Sequence, residues 1–336
     1  MAWNTREIEE ITRNKLISKL QQGPGEEWYG LYTSARKCLV EEILPAIKGV
    51  LPELTDHGPQ HVENVLDNTR KLLGTDIEKL GAMDLYCLIL SILFHDVGNI
   101  FARKEHQRNV SQVYNYVRGD KVDRRERFVV LKAASAHCGE ANDGSKDTLK
   151  DLDEKTFFGG GAILLRDIAA ILRFADELAE GPQRTSKFMQ IHHNYPPDSY
   201  LYHKYANITT VDIDRLGERI ALTYDISFHT NGDNKLGQKE QNEILELLKF
   251  THKRIVKLNQ ERQYAKHYSA FLSPFRKTTV IFNFWANGEL LDLTLDEVRL
   301  TDLVVPDDEA KEFVKYAPSH TPENVIALIE NCLRRK

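Results

Sequence analysis

Four residues far apart in the chain could share one chemistry: His61, the adjacent pair His95 and Asp96, and Asp176. Two imidazoles and two carboxylates suit a first-row divalent ion such as Mn2+, Fe2+, Ni2+ or Zn2+ better than calcium. "TDHGPQHVENVL" carries His61 and, four residues earlier, His57; "LILSILFHDVGNI" carries the doublet; "LLRDIAAILRFADELAEG" carries Asp176. Each ligand candidate borders an apolar run, where an ionised carboxylate is costly unless a cation or several hydrogen bonds compensate it. Taken singly, each histidine reads as a hydrogen-bonded core residue. Together, on three separate elements, they read as a ligand set.

Three helices must hold that set. From Leu85 to Phe94 almost nothing polar interrupts the sequence, so a helix over 82–96 has to be enclosed by others, with Gly98 placed to stop it. A helix over 59–74 can be capped by Thr55 or Asp56 and tolerates Pro59 in its first turn. Its apolar face, Val62, Val65, Leu66 and Leu73, runs beside His61, and His57 at the helix mouth can point the same way. In the third helix Leu165, Ala169 and Leu172 stack at steps of three and four, and the row continues to Asp176. Glu177 instead reaches back to Arg173, as a surface pair does.

Helical spacing also marks 5–21, 28–49, 105–118, 126–136 and 161–180. Beyond Pro196 and Pro197, "YANITTVDID", "RIALTYDIS" and "KTTVIFNFW" alternate as strands do, around a charged amphipathic helix. The expected architecture is mainly α: a helical domain over 1–190, of which 1–50 is an extension, and a smaller α+β domain over 191–336. His192 and His193 go with the junction. The amphipathic helix, with Ile244, Leu247, Leu248 and Ile255, packs by default on its own strands, a homodimer being the alternative.

Composition narrows the class. Fifty acidic residues against 45 basic ones give no general nucleic-acid footprint. The start lacks the order of a signal peptide and about eighteen apolar residues nowhere run together, so a cytoplasmic protein with no membrane partner is expected. Four scattered cysteines, with no CxxC pair, read as reduced thiols.

The order His61, His95–Asp96, Asp176 resembles the HD superfamily of metal-dependent phosphohydrolases, named for the doublet seen here in "FHDVG". The resemblance covers about residues 50–190; "HVENVL" is similar to the family's first-ligand helix and "LRFADEL" to its last. The extended forms "TDHGPQH", "HDVGNIFARKEH" and "RFADELAEGPQRTS" look most like HD domains of bacterial conflict and defence systems, which implies a setting in antiviral defence.

This resemblance implies an HD-type helical domain with a metal on His61, His95, Asp96 and Asp176. Mn2+ is favoured, with Fe2+, Ni2+, Zn2+ and Mg2+ as alternatives. Asp96 becomes ligand and base. His106 and His137 either hold a second ion, as in the binuclear branch, or contact phosphate and move its protons. A mononuclear core is preferred: where the cyclic-dinucleotide branch carries a His-His pair, this chain has His137–Cys138. Arg103, Arg184 and Lys187 follow metal ligands closely enough to bind a phosphate, and His57 can orient His61 or touch substrate. Gly159 to Gly161 read as a flexible break, since no GxxxxGK[ST] is present.

The expected function is hydrolysis of a phosphate ester or anhydride in a nucleotide or nucleotide-like signal. A metal-dependent single-strand nuclease is the second reading, disfavoured by the chain's acidity. A non-catalytic nucleotide-sensing or partner-binding module is the third.

Overall fold

The computed structural model describes residues 3–119, 123–192, 195–293, 295–302 and 312–335. His193 lies outside them. The chain forms two compact units: Met1–Ala179 with Tyr264–Ser273, and Glu180–Gln263 with Pro274–Lys336.

In the first unit α1 (Glu7–Leu20) and α2 (Gln22–Cys38) pack together, and α2 passes through a π-turn at Leu39–Ile43 into α3 (Leu44–Val50). There follow α4 (Pro59–Leu73), α5 (Ala82–Phe94), α6 (His106–Arg118), α7 (Arg124–Ser135) and α8 (Leu165–Glu177). All residues of α5 are buried, and α1, α4, α7 and α8 pack around it. Each enclosed Leu, Ile or Phe is worth about 1.5–3 kcal/mol relative to exposure. Its polar side chains also fasten it: Asp84 accepts from the backbone N–H groups of Gly81 and Leu164, both at 2.9 Å, tying the starts of α5 and α8 together. Tyr86 and Tyr114 donate to the buried Glu126, whose charge Arg118 compensates at 2.8 Å.

Among the described residues Ala82–Ile100 is long and apolar enough by composition to cross a membrane, but Asp84, Ser91, His95, Asp96 and Asn99 interrupt the run, as the sequence predicts, and 94% of its apolar stretch is buried inside the protein. The glycine run departs from expectation. It is no flexible break but the turn between β1 (Thr156–Phe158) and β2 (Gly161–Ile163), with Gly159 and Gly160 both at positive φ, as a two-residue hairpin demands. The helix carrying Asp176 therefore starts at Leu165, not 161.

The second unit holds α9 (Lys187–Ile191), α10 (Pro197–Ile208), β3 (Thr209–Asp214), β4 (Arg219–Phe228), most of α11 (Gln238–Tyr268), β5 (Lys277–Ala286), β6 (Glu289–Leu290), β7 (Val298–Thr301), α12 (Phe313–Tyr316) and α13 (Pro322–Leu333). Strand β4 runs parallel to β5, with α11 as the connection; β3 pairs antiparallel with β4, and β6 and β7 with β5. Alternation along β4 buries Ile220, Leu222, Tyr224, Ile226 and Phe228. Phe250 of α11 meets Tyr205 and His252 meets Phe282, so the part of α11 up to Gln263 packs on the second unit. The architecture is mainly α with a smaller sheet-containing part, as the sequence predicts.

Candidate metal centre

Three helices of the first unit end at one point. His95 and Asp96 follow the last residue of α5, His137 follows α7, and Asp176 lies in the last turn of α8. Helix C-termini carry partial negative charge, which disfavours the carboxylates and favours a cation beside them by about 0.3–1 kcal/mol each. His61, in the first turns of α4, completes the group. The α4 cap is Gly58, not Thr55 or Asp56, with Pro59 at the first helical position as expected. Asn68 of α4 donates to the Ala175 carbonyl at 3.2 Å, which fixes α4 against the turn that carries Asp176.

Donor atoms of His61, His95, Asp96 and Asp176 all lie within 4.8 Å of one another. His61 Nε2 is 3.1 Å from Asp176 Oδ1, 3.3 Å from His95 Nε2 and 3.5 Å from Asp96 Oδ2; His95 Nε2 is 3.3 Å from Asp96 Oδ2 and 3.6 Å from Asp176 Oδ1. An ion with bonds of ~2.1 Å separates its ligands by about 3.0 Å across an octahedral edge and about 3.4 Å across a tetrahedral one, so these spacings fit. Two carboxylates also neutralise a divalent charge. The cluster can hold a divalent metal.

Imidazole orientation supports that fit. Nδ1 of His95 faces the Ile92 carbonyl at 2.7 Å, Nδ1 of His106 the Arg103 carbonyl at 3.1 Å, and Nδ1 of His137 the Ala134 carbonyl at 2.5 Å. A carbonyl only accepts, so each Nδ1 donates, and each ring in its neutral form turns an Nε2 lone pair inward. The device repeats at a spacing of three residues, and in α5 and α7 it uses carbonyls that the helix end leaves unpaired. His57 Nδ1 likewise meets the Thr55 carbonyl, and its Nε2 stands 3.9 Å from Asp96 Oδ2. His61 Nδ1 is buried without a hydrogen-bond partner among the described residues.

Asp96 faces two ways. Its Oδ2 enters the first cluster, while Oδ1 lies 3.1 Å from His106 Nε2 and 3.6 Å from His137 Nε2. Those two nitrogens are 3.3 Å apart, and Cys138 Sγ sits 3.6 Å from His106 Nε2. Burial would raise the Asp96 carboxyl, yet His95, His57, His106 and His137 hold it well below the usual carboxylate range; Asp176 is held down in the same way by His61 and His95. Conversely, burial would lower His95, but Asp96 and Asp176 hold it up at about 9. Burial would also raise the Cys138 thiol, and His137 with His106 pulls it down to about 6.

Sequence reasoning missed Asn99. Its amide donates to Asp96 Oδ1 at 3.1 Å and to the Asp96 carbonyl at 3.0 Å, and its own oxygen accepts from Arg103 at 3.3 Å. The clue was its position three residues after Asp96, within the tight turn Val97–Ile100. Gly98 also has another role than a helix stop: a Cβ there would lie 1.9 Å from the His106 carbonyl oxygen, so glycine admits the strand of backbone that brings His106 to Asp96. Arg173 is buried, not a surface residue, and donates to Thr148 Oγ1 at 2.9 Å and to the Ala136 carbonyl at 3.4 Å, anchoring the chain just before His137. Arg103 is exposed and leans on Asn99. Arg184 and Lys187 belong to the second unit, where Arg184 lies 3.7 Å from Glu180.

Asp176 keeps 24% of its side chain open while His61 and His95 are closed off, which identifies the side on which the centre meets solvent. A family model described as HD-CE matches residues 51–255. No curated protein and no solved structure matches the chain.

Proposed function

Because the chain belongs to the HD-CE family, we propose that it is a metal-dependent phosphohydrolase cleaving a phosphate ester or anhydride in a nucleotide or nucleotide-like signal. The observation that carries this reading is Asp96, one buried carboxylate shared between two sets of inward-turned imidazoles. A divalent ion on His61, His95, Asp96 and Asp176, Mn2+ in this reading, polarises water and neutralises phosphoryl oxygens when bound.

The protein's own residues do the rest. Asn99 holds Oδ1 of Asp96 in place, leaving that carboxylate oriented as the base toward a nucleophile. His106 and His137, each with a second nitrogen fixed on a carbonyl, stand where a proton or a phosphate oxygen passes Oδ1. Arg103, exposed at the mouth and steadied by Asn99, offers the positive charge that an anionic substrate needs on approach. The same proposal includes a cytoplasmic defence setting, a reading supported by the resemblance of "TDHGPQH", "HDVGNIFARKEH" and "RFADELAEGPQRTS" to conflict-associated HD domains.

A Mn2+-supplemented screen of nucleotides, cyclic nucleotides and oligonucleotides, following phosphate and nucleoside release together, tests the reading. Release from mononucleotides or nucleoside triphosphates supports it. Cleavage confined to single-stranded oligonucleotides favours the nuclease reading, and binding without turnover favours the sensor. Unchanged turnover in a folded Asp96→Ala protein would falsify the assignment of the centre.

A further inference from the structure

The whole chain is slightly acidic, but in α7 the fold separates the signs that the sequence mixes. Glu126, the only acid of that helix, is turned inward, where Tyr86, Tyr114 and Arg118 take up its oxygens. Arg124, Arg125, Arg127 and Lys132 are left exposed, and among the described residues none of the four pairs with a carboxylate. We infer that the outer face of α7 is a docking surface for single-stranded nucleic acid, with Arg124, Arg125 and Lys132 on its phosphates and Phe128 beneath a base.

Phe128 decides what kind of anion fits. Arg124, Phe128 and Lys132 follow at steps of four, which sets them in one row along the helix, and Lys132 Nζ stands 6.0 Å from the centre of the Phe128 ring. The ring is 42% exposed, and no other large apolar side chain of α7 is left in solvent. One aromatic face between cations matches a strand of unpaired bases, because every base offers a face to stack and every linkage a negative charge. A membrane surface asks instead for a broad apolar band, which α7 lacks.

Helix stability gives no reason for this arrangement. The start of a helix carries partial positive charge and favours acids, yet Arg124, Arg125 and Arg127 crowd the beginning of α7, opposed to that charge and to one another. An anionic partner relieves both. The face is also held firmly: Arg127 donates to Asn115 at 3.0 Å and Ser135 to the Gln107 carbonyl at 3.0 Å, which fixes α7 antiparallel to α6.

Fluorescence anisotropy of labelled oligo(dT) and oligo(U) with the full chain, chelator present throughout, tests this surface separately from the metal centre. The expected result is binding whose logarithmic affinity falls against logarithmic salt concentration with a slope of about −2, roughly 0.7 for each of three phosphates. Arg124→Ala combined with Lys132→Ala weakens binding at least ~10-fold at low salt and flattens the slope by about 1.4. Removing two exposed charges elsewhere, as Lys239→Ala with Lys249→Ala, changes neither. Phe128→Ala weakens oligonucleotide binding at least ~5-fold and leaves the binding of long-chain polyphosphate, which has no bases, unchanged. Every substituted side chain is exposed, and circular dichroism checks that each variant keeps its helices. No binding at low salt, no loss in the α7 pair beyond that of the control pair, or full affinity in Phe128→Ala overturns the surface. Tighter binding of polyphosphate, anionic vesicles or an acidic peptide than of either oligonucleotide overturns it as well, and assigns the face to that partner.

Discussion

His95 in the helical unit and His252 in the second unit are both closed off from solvent, and their surroundings push them in opposite directions. Asp96 and Asp176 hold His95 up at about 9 despite its burial. His252 stacks 4.3 Å from Phe313, faces Phe282 and His320, and is pushed down to about 4 by burial and by His320. Its Nε2 has no hydrogen-bond partner among the described residues. Burial alone therefore says little about what a histidine does; the carboxylates and imidazoles that share its space decide between ligand and core residue.

Four measurements break or sharpen that contrast. Asp176→Ala should lose the metal of the first centre and reduce kcat/KM by at least ~10³-fold, several kcal/mol of charge stabilisation, whereas His252→Ala should leave metal content intact. Metal analysis with kinetics on both proteins checks this, and equal losses would erase the distinction. Asn99→Ala should cost about 10–100-fold in metal affinity, as loss of a group orienting a ligand does. Calorimetric titration of Mn2+ reads that value.

Acid should then weaken the second unit. His252 has a folded pKa near 4, below the ~6.5 of an unfolded histidine, so the unfolded chain takes up its proton first as pH falls. The stabilisation is fully present above about pH 6.5 and is lost as pH falls toward 4, on the order of 3 kcal/mol. His320, also lowered by burial although Asp296 pulls it upward, adds in the same direction. Amide exchange in β4 and β5 across that range measures the loss. The smallest effect belongs to His252→Phe, which should change stability at pH 7.5 by less than about 1.5 kcal/mol while flattening most of the acid dependence.

Much of the helical unit was legible because its signals are local. A run with no polar face, such as Leu88 to Phe94, has only one place to go, and His61 and Asp176 could be set against apolar faces by counting along helices. Periodicity stops at helix ends, and there legibility stopped too. Cys138, two residues beyond Ala136, could not be aimed from sequence, and its scattered partners gave no CxxC signal, yet it meets His106. Asn99 and Gly98 act through a tight turn whose shape depends on α6 returning to it. The glycines at 159 and 160 were visible as a break, but pairing of β1 with β2 is a property of two segments. Likewise "YANITTVDID" reads as one strand, while Tyr205 to Ile208 stay helical and only Thr209 onward pairs with β4.

The last turn of α11 has a consequence for how the protein is made. Tyr264 and Tyr268 donate to Asp147 at 2.9 and 2.8 Å, the Leu149 N–H donates to Tyr264, Ser269 donates to Asp167, and Arg173 lies 4.6 Å over the Tyr264 ring. These residues close the loop that follows His137, yet they are encoded more than a hundred positions after it. A ribosome that has released His61, His95, Asp96, His137 and Asp176 still holds the clasp that closes the loop after His137. The helical unit thus cannot be finished during synthesis until residue 273 emerges, and a shortened chain ending near 180 would carry every residue of the candidate centre without the piece that closes the loop after His137.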